Sequence, residues 1–135
     1  MPSDDKARVK RVVQSMLHAI DHGDASGLAA VWSEDSSMFF PFLNSPRLAL
    51  GKAAILARFT TLFAKFKAGG AKPPYVGFTF DDVRVDIFGD AALCSLSYPV
   101  KGLLARRSFV LVRENADWRI KHVHGSNANV ADASP

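Results

Sequence analysis

The sequence predicts a single α+β domain in which three helices pack in a curved, mainly antiparallel sheet. Two segments carry apolar residues at helical spacing, and the strand-like segments follow one another in the second half of the chain. Gly89-Asp90 and Asn115-Ala116-Asp117 mark tight turns between those strands. The length of 135 residues suits one domain, and a hydrophobic content of 48% is enough for one core.

The helices are predicted from their apolar stripes. The first runs from about Asp4 to His22, where Gly23 can end it, and its stripe is Val9, Val12, Val13, Met16, Leu17 and Ile20. A short second helix follows, with Asp24 as its cap and a buried side formed by Leu28, Val31 and Trp32. The third covers residues 52–67, and its stripe is Ile55, Leu56, Phe59, Leu62, Phe63 and Phe66.

The strands are predicted from alternation and turn residues. Residues 37–42 form a short strand before the third helix. Residues 77–88, 91–100, 106–113 and 118–126 then form a four-stranded antiparallel meander. We therefore expect one domain over residues 1–126 and a flexible tail over residues 127–135, which are small and polar.

Composition and charge exclude several classes of protein. The net charge of +4 is modest, and we interpret the basic residues of the first helix and the pair Arg106-Arg107 as solvated surface rather than a nucleic-acid site. Cys94 is the single cysteine, so no internal disulfide can form. The N-terminal residues lack an apolar signal region and no run suits a bilayer span, so we expect a cytoplasmic protein without membrane attachment.

Three local stretches carry a resemblance to a known family. Residues 19–24 (AIDHGD) end a helix in a Gly-Asp turn, and residues 28–35 (LAAVWSED) close a short helix with an acidic pair. Residues 117–126 (DWRIKHVHGS) contain a Trp-x-Ile-x-His-x-His-x-Ser pattern. In this order they resemble the nuclear transport factor 2-like superfamily, in its SnoaL-like and ketosteroid isomerase-like branch. The resemblance implies a cone-shaped, cystatin-like fold and a homodimer, which we expect to form through the outer face of the sheet.

The last predicted strand supplies the candidate polar group of the site. Trp118, Ile120, His122 and His124 have the same parity, so they are expected to share the inward face. A neutral histidine can donate and accept a proton, and His124 is therefore the candidate catalytic or ligand-orienting residue. The alternative is that both histidines only hydrogen-bond to groups of the core.

An apolar pocket for a small ring or acyl compound is predicted from the many aromatic residues on elements that face the sheet. The candidate ligand-binding residues are Met16, Trp32, Phe40, Phe59, Phe63, Trp118, His122 and His124. The alternative is plain core packing of the aromatic residues. No cofactor is expected, and a metal on the histidine pair would need Cys94, Asp86 or His18 to converge on it.

The resemblance also implies which chemistry is lost. A ketosteroid isomerase needs a carboxylate base and an oxyanion hole built from a tyrosine and a protonated aspartate. The matching positions carry Phe40 for the base, Met16 for the tyrosine, and Arg107 or Ser108 for the aspartate. The Asp-Arg-Asp set of limonene epoxide hydrolase, a relative in fold, is not reproduced either. Arg84 and Asp86 are expected to face outward as a surface pair, and the second aspartate's position holds Ile120.

The leading hypothesis is a SnoaL-like domain with an apolar pocket for a small molecule. Whether the domain is an enzyme stays open, because this fold carries enzymes, binding modules and assembly domains. The alternative is a homodimeric assembly or interaction module whose pocket is vestigial.

Overall fold

Three helices and six strands make up the part of the chain that the computed structural model describes, residues 2–42, 46–80 and 82–129. The helices are α1 (Pro2–His22), α2 (Ala25–Val31) and α3 (Lys52–Ala68). The strands are β1 (Trp32–Phe39), β2 (Ala49–Leu50), β3 (Val83–Phe88), β4 (Ala91–Val100), β5 (Leu103–Glu114) and β6 (Asp117–Asn129). The predicted α+β class is confirmed.

The strands of the described residues form one curved, open sheet in the order β2-β1-β6-β5-β4-β3. Only β1 and β6 pair in parallel, while every other neighbouring pair is antiparallel. The predicted meander from β3 to β6 is therefore confirmed, and β1 and β2 extend it past β6. The core lies between the helices and the concave face of this sheet, which is the cone-shaped arrangement that was predicted.

Local sequence explains the ends and buried sides of the helices. Gly23 follows α1 with a φ of 63°, a left-handed conformation that glycine adopts without strain. Asp24 caps α2, where its carboxylate accepts a hydrogen bond from the backbone N–H of Gly27 at 3.0 Å. Both long helices turn their apolar stripes inward. The fully or nearly fully buried members are Val9, Val13, Met16, Leu17, Ile20, Ile55, Phe59 and Phe63.

Several predicted boundaries are wrong. Trp32 begins β1 instead of lying on the second helix, and β1 ends at Phe39 rather than residue 42. The strand expected over residues 77–88 begins only at Val83, so Phe78 and Phe80 lie half-buried in an irregular segment. Residues 127–129, expected in the tail, continue β6 and pair with residues 103–105 of β5. Residues 130–135 of the predicted tail lie outside the described part of the chain.

A bulge in β6 changes which of its side chains face inward. Ile120 pairs with Leu111, and His122 pairs with Val110, so Lys121 has no partner of its own on β5. The pairing with β1 shifts at the same place. Before the bulge, Trp118 and Ile120 are buried, whereas after it the buried residues are Val123 and Gly125. The alternation along β6 is therefore reversed at Lys121.

Candidate functional site

A cavity of about 350 Å³ opens between the concave face of the sheet and helices α1 and α3. Its walls are mainly apolar, and they come from helices α1 and α3, strands β1, β4, β5 and β6, and two irregular segments. Helix α1 contributes Met16, Leu17 and Ile20, and α3 contributes Phe59, Leu62 and Phe66. The sheet side contributes Met38, Phe109 and Val123. The size and lining are those of a site for a small organic molecule.

The rim of the cavity lies at the β4–β5 hairpin and at the segment after β1. Phe42 and Leu103 line the cavity and are 39% and 38% exposed, respectively. Lys101, at the hairpin tip, lines it as well and is exposed. Large apolar side chains that remain accessible beside a cavity indicate that a hydrophobic ligand can enter there.

Asp21 holds one wall of the cavity in place, although it does not line the cavity itself. Its buried carboxylate accepts hydrogen bonds from the backbone N–H groups of Val76 at 2.8 Å, Gly77 at 2.9 Å and Phe78 at 3.0 Å. Its backbone carbonyl accepts a fourth from the N–H of Tyr75 at 2.9 Å. Tyr75, Val76 and Phe78 all line the cavity. The end of α1 therefore fixes an irregular segment that pairs with no strand among the described residues.

Arg107 is a half-buried charged residue of the cavity wall. Its Nη1 donates to the backbone carbonyls of Arg106 and Ser126 at 2.8 Å each, and to Asn127 Oδ1 at 3.4 Å. Its guanidinium carbon lies 5.4 Å from the centre of the Tyr98 ring. Burial lowers the pKa of Arg107, and the neighbouring Tyr98 opposes that change. Its pKa still leaves the side chain cationic at neutral pH.

Tyr98 is the second polar group of the cavity. It is 3% exposed, and Phe78 packs edge-on against its ring at 4.9 Å. Burial raises the pKa of the Tyr98 hydroxyl, while Arg107 lowers it by a smaller amount. The hydroxyl is therefore neutral at physiological pH and can donate a hydrogen bond to an anion or a carbonyl oxygen.

Of the predicted ligand-binding residues, some lie at the cavity and others lie away from it. Met16, Phe40 and Phe59 line the cavity. Phe63 is buried directly behind that lining, where its ring packs against those of Phe59 at 6.2 Å and Tyr75 at 6.5 Å. These four residues lie in the cavity wall or directly behind it, and their role in ligand binding stays a prediction.

Trp32 and Trp118 do not line the cavity, although both are buried as expected. Trp118 belongs to the far end of β6, where its Nε1 donates to Asp5 Oδ1 at 3.3 Å. The guanidinium of Arg113 lies over its ring at 4.5 Å. Trp118 therefore anchors the start of α1 to the sheet. Its size and burial do not indicate where the cavity lies.

The prediction that His124 and His122 line the cavity is wrong. The bulge at Lys121 turns both side chains to the outer face, where His124 is exposed and His122 is half-exposed. The Ser37 hydroxyl and His122 Nδ1 share a hydrogen bond of 2.7 Å, and the Phe39 ring lies 5.2 Å from that of His124. Burial, and then the charge of His124, lower the pKa of His122, which Ser37 partly offsets.

The side chains that a metal site would need do not converge on the histidine pair. Cys94 is fully buried in the core, and burial raises its pKa to about 11, so the thiol is inert at neutral pH. Asp86 pairs with Arg84 across 3.1 Å on the edge strand β3, as the sequence predicted, and the ring of His18 lies 4.3 Å from that of His22 on α1, with the two rings tilted. Within the described ranges, no group of three or more histidine, cysteine or acidic residues suits a metal ion.

The positions that the family resemblance assigned to isomerase chemistry meet at this cavity. Phe40, Met16 and Arg107 all line it, although they lie on different elements. Ser108, the alternative match for the aspartate, is on the outer face. None of the described lining residues is an aspartate or glutamate. These three positions therefore bring apolar and cationic side chains to the cavity.

The model of the SnoaL-like domain family matches residues 9–130 of this sequence. The chain belongs to the SnoaL-like family. No match is found among curated proteins. Within the described residues, no helix is both long and apolar enough to cross a membrane, and the cytoplasmic location stays a prediction.

Solved structures share the fold of this SnoaL-like domain at low sequence identity. A candidate dehydratase of the nuclear transport factor 2-like family from Streptomyces avermitilis is 21% identical, with 93% of this chain and 97% of that chain covered and a TM-score of 0.76. A nuclear transport factor 2-like protein with a cystatin-like fold from Novosphingobium aromaticivorans is 22% identical, with 97% of this chain and 84% of that chain covered and a TM-score of 0.69. A candidate ketosteroid isomerase from Shewanella frigidimarina is 15% identical over 86% and 92%, with a TM-score of 0.68. At these identities the similarity establishes the fold alone.

Proposed function

We propose that this SnoaL-like domain binds a small, largely apolar molecule inside its cone. The observation that carries the proposal is the cavity of about 350 Å³, which has apolar walls and an accessible apolar rim. A well-packed core leaves few voids larger than a water molecule, so a space of this size is a feature that the fold maintains. The neighbours described as a dehydratase and an isomerase are consistent with an organic ligand, but their low identity gives no substrate.

Two methionines make the proposal directly testable. Met16 and Met38 lie on opposite walls of the cavity, one on α1 and the other on β1, and both line it. With methionine methyl groups labelled with carbon-13, titration with apolar alcohols, ketones and carboxylic acids is expected to shift both methyl resonances together. Absence of any shift across the panel would contradict the proposal.

A matched pair of substitutions distinguishes the cavity from the rest of the helix surface. Leu62 and Leu56 are both half-buried on α3, but only Leu62 lines the cavity. Leu62→Trp is expected to fill the space and weaken binding at least about tenfold, whereas Leu56→Trp should leave affinity near that of the parent. Equal effects of the two substitutions would show that the ligand binds elsewhere.

We also propose that a second copy of the chain covers the outer face of the sheet. The helices pack on the concave side, so the outer face of the central strands has no cover from the described residues. Phe39, Leu93, Val110 and Val112 remain partly exposed there, and Leu50 at the edge is 71% exposed. A two-fold pairing would bury this patch against itself.

The outer-face pairing is tested by the mass of the protein in solution. Val110→Asp is expected to convert a dimer to a monomer at micromolar concentration, because it places a charge at the centre of the patch. Ala57→Asp, on the exposed side of α3, is the control and should remain dimeric. A monomeric parent would refute the pairing. A dimer that binds no compound of the panel would instead favour an assembly module with a vestigial pocket.

A further inference from the structure

Arg107 is a cation that the sheet turns toward the cavity rather than toward solvent. It has the same parity on β5 as Ala105, Phe109 and Leu111, all of which are buried. The neighbouring Arg106 has the opposite parity and is exposed. The sequence interpretation of both arginines as solvated surface is therefore wrong for Arg107.

The fold leaves room for the Arg107 side chain and holds its guanidinium in place. Gly125 lies opposite Arg107 on β6, and a Cβ there would lie 3.3 Å from both Cδ and Nε of Arg107 and 3.1 Å from Cδ of Pro41. The missing side chain makes room for the arginine stem. Hydrogen bonds from Nη1 to two backbone carbonyls then fix the guanidinium. The guanidinium also interacts with the Tyr98 side chain, so the edge of the fork that the backbone carbonyls do not use lies beside the Tyr98 hydroxyl.

The charges around the cavity do not balance within the described residues. Arg107 makes no ion pair there with a carboxylate, and the other charged residue of the lining, Lys101, is also a cation. Asp21 is close enough to influence Tyr98, but its carboxylate is occupied by three backbone N–H groups. A shielded cation without a counter-ion is costly, and a bound anion would remove that cost.

We propose that the cone binds apolar monocarboxylic acids, with the carboxylate between Arg107 and the Tyr98 hydroxyl and the hydrocarbon among Phe40, Phe59 and Leu62. This inference rests on the proposed function and adds the charge and headgroup of the ligand. The edge of the guanidinium beside Tyr98 matches a carboxylate, which accepts two parallel hydrogen bonds. The neutral hydroxyl of Tyr98 supplies a further donor. A headgroup with one charge suits a site that has one shielded cation.

Two ligands of the same length separate the headgroup from the hydrocarbon. In isothermal titration calorimetry, octanoate is expected to bind the parent protein about 10- to 100-fold more tightly than octanol, because charge-assisted hydrogen bonds exceed neutral ones by that margin. Octyl phosphate is a third arm, and tighter binding of octyl phosphate than of octanoate would overturn the assignment to carboxylates.

Substitutions at adjacent positions test whether Arg107 is the source of the preference for octanoate over octanol. Arg107→Met keeps an apolar stem without the charge and should bring octanoate affinity down to that of octanol, leaving octanol affinity unchanged. Arg106→Met removes a charge from the exposed face and should keep the full preference for octanoate. Arg107→Lys retains the charge without the fork and should retain part of the preference. It also provides a test if the methionine variant fails to fold.

The outcomes separate this inference from the proposed function. If octanol binds the parent as tightly as octanoate, or if the preference survives in Arg107→Met, the carboxylate assignment is wrong, while a small-molecule cavity is retained. If neither compound binds, the assignment is also wrong. Only failure of the whole apolar panel on the methionine methyl groups would remove the proposed function as well.

Discussion

Replacing Asp21 by asparagine tests how strongly the end of α1 holds the cavity wall. One carboxylate oxygen accepts the N–H groups of Val76 and Gly77, and the other accepts that of Phe78. An asparagine oriented to keep the first two bonds would turn its amide NH₂ toward the Phe78 N–H. Two bonds would then lose their charge assistance, and the third would become a contact between two donors.

The expected cost follows from those three bonds. A hydrogen bond to a charged group contributes about 1.5–3 kcal/mol, against about 1 kcal/mol for a neutral pair, and an unpaired buried donor costs about 1–3 kcal/mol. Asp21→Asn is therefore expected to lower the free energy of unfolding by roughly 2–4 kcal/mol, after allowance for local relaxation. That is a large fraction of the stability of a small domain, about 5–15 kcal/mol.

Urea denaturation followed by circular dichroism measures the change as a shift in midpoint at constant slope. The control is Asp35→Asn, which removes an exposed carboxylate paired with Lys121 and should change stability little. Because the segment held by Asp21 carries Tyr75, Val76 and Phe78, octanoate affinity should fall as well. A midpoint equal to that of the Asp35→Asn variant would refute the account of Asp21 as the anchor of this wall.

Two further predictions concern Gly125, which lies beside Arg107, and the buried thiol of Cys94. Gly125→Ala should displace the Arg107 side chain and weaken octanoate binding more than octanol binding in calorimetry, since the added Cβ would lie 3.3 Å from Arg107 Nε. Equal losses for both ligands would contradict that reason. Cys94 has its pKa raised from 9.0 to about 11, so the folded state keeps the thiol protonated where the unfolded chain loses its proton. The parent should therefore lose roughly 2 kcal/mol of stability as pH rises from about 9 to about 11, on top of any loss shared with Cys94→Ala, and parallel urea midpoints for the two proteins would disprove it.

The fold was predictable because its elements depend on short-range patterns. The apolar stripes of α1 and α3 have helical period, and β4 was predicted with its observed bounds, Ala91–Val100, because Gly89-Asp90 marks its start. Boundaries failed where tertiary pairing decides them. Trp32 suits a short helix by sequence, but pairing with Ile120 draws it into β1. No local signal reveals that pairing.

The site was harder to predict, because one inserted residue changes the face of every later side chain in a strand. A signal was nevertheless present. Trp118 and Ile120 have one parity, whereas Val123 and Gly125 have the other, which requires a bulge between them if all four are buried. Arg107 could have been found in a similar way, since it shares parity with Phe109 and Leu111. The anchoring of residues 76–78 by Asp21 could not, because the partners are far apart in sequence.

The bulge at Lys121 decides which side chains of β6 face the cavity and which face outward. The Nζ of Lys121 donates to the backbone carbonyl and to the carboxylate of Asp35 on β1, so the extra residue is oriented toward that strand. Deleting it would advance everything downstream by one step and exchange the two surfaces of the strand. His122 and His124 would point into the cone, while Val123 would leave it and Gly125 would no longer lie beneath Arg107. The chemistry of the cavity is thus controlled by the length of this strand as much as by the identity of its side chains.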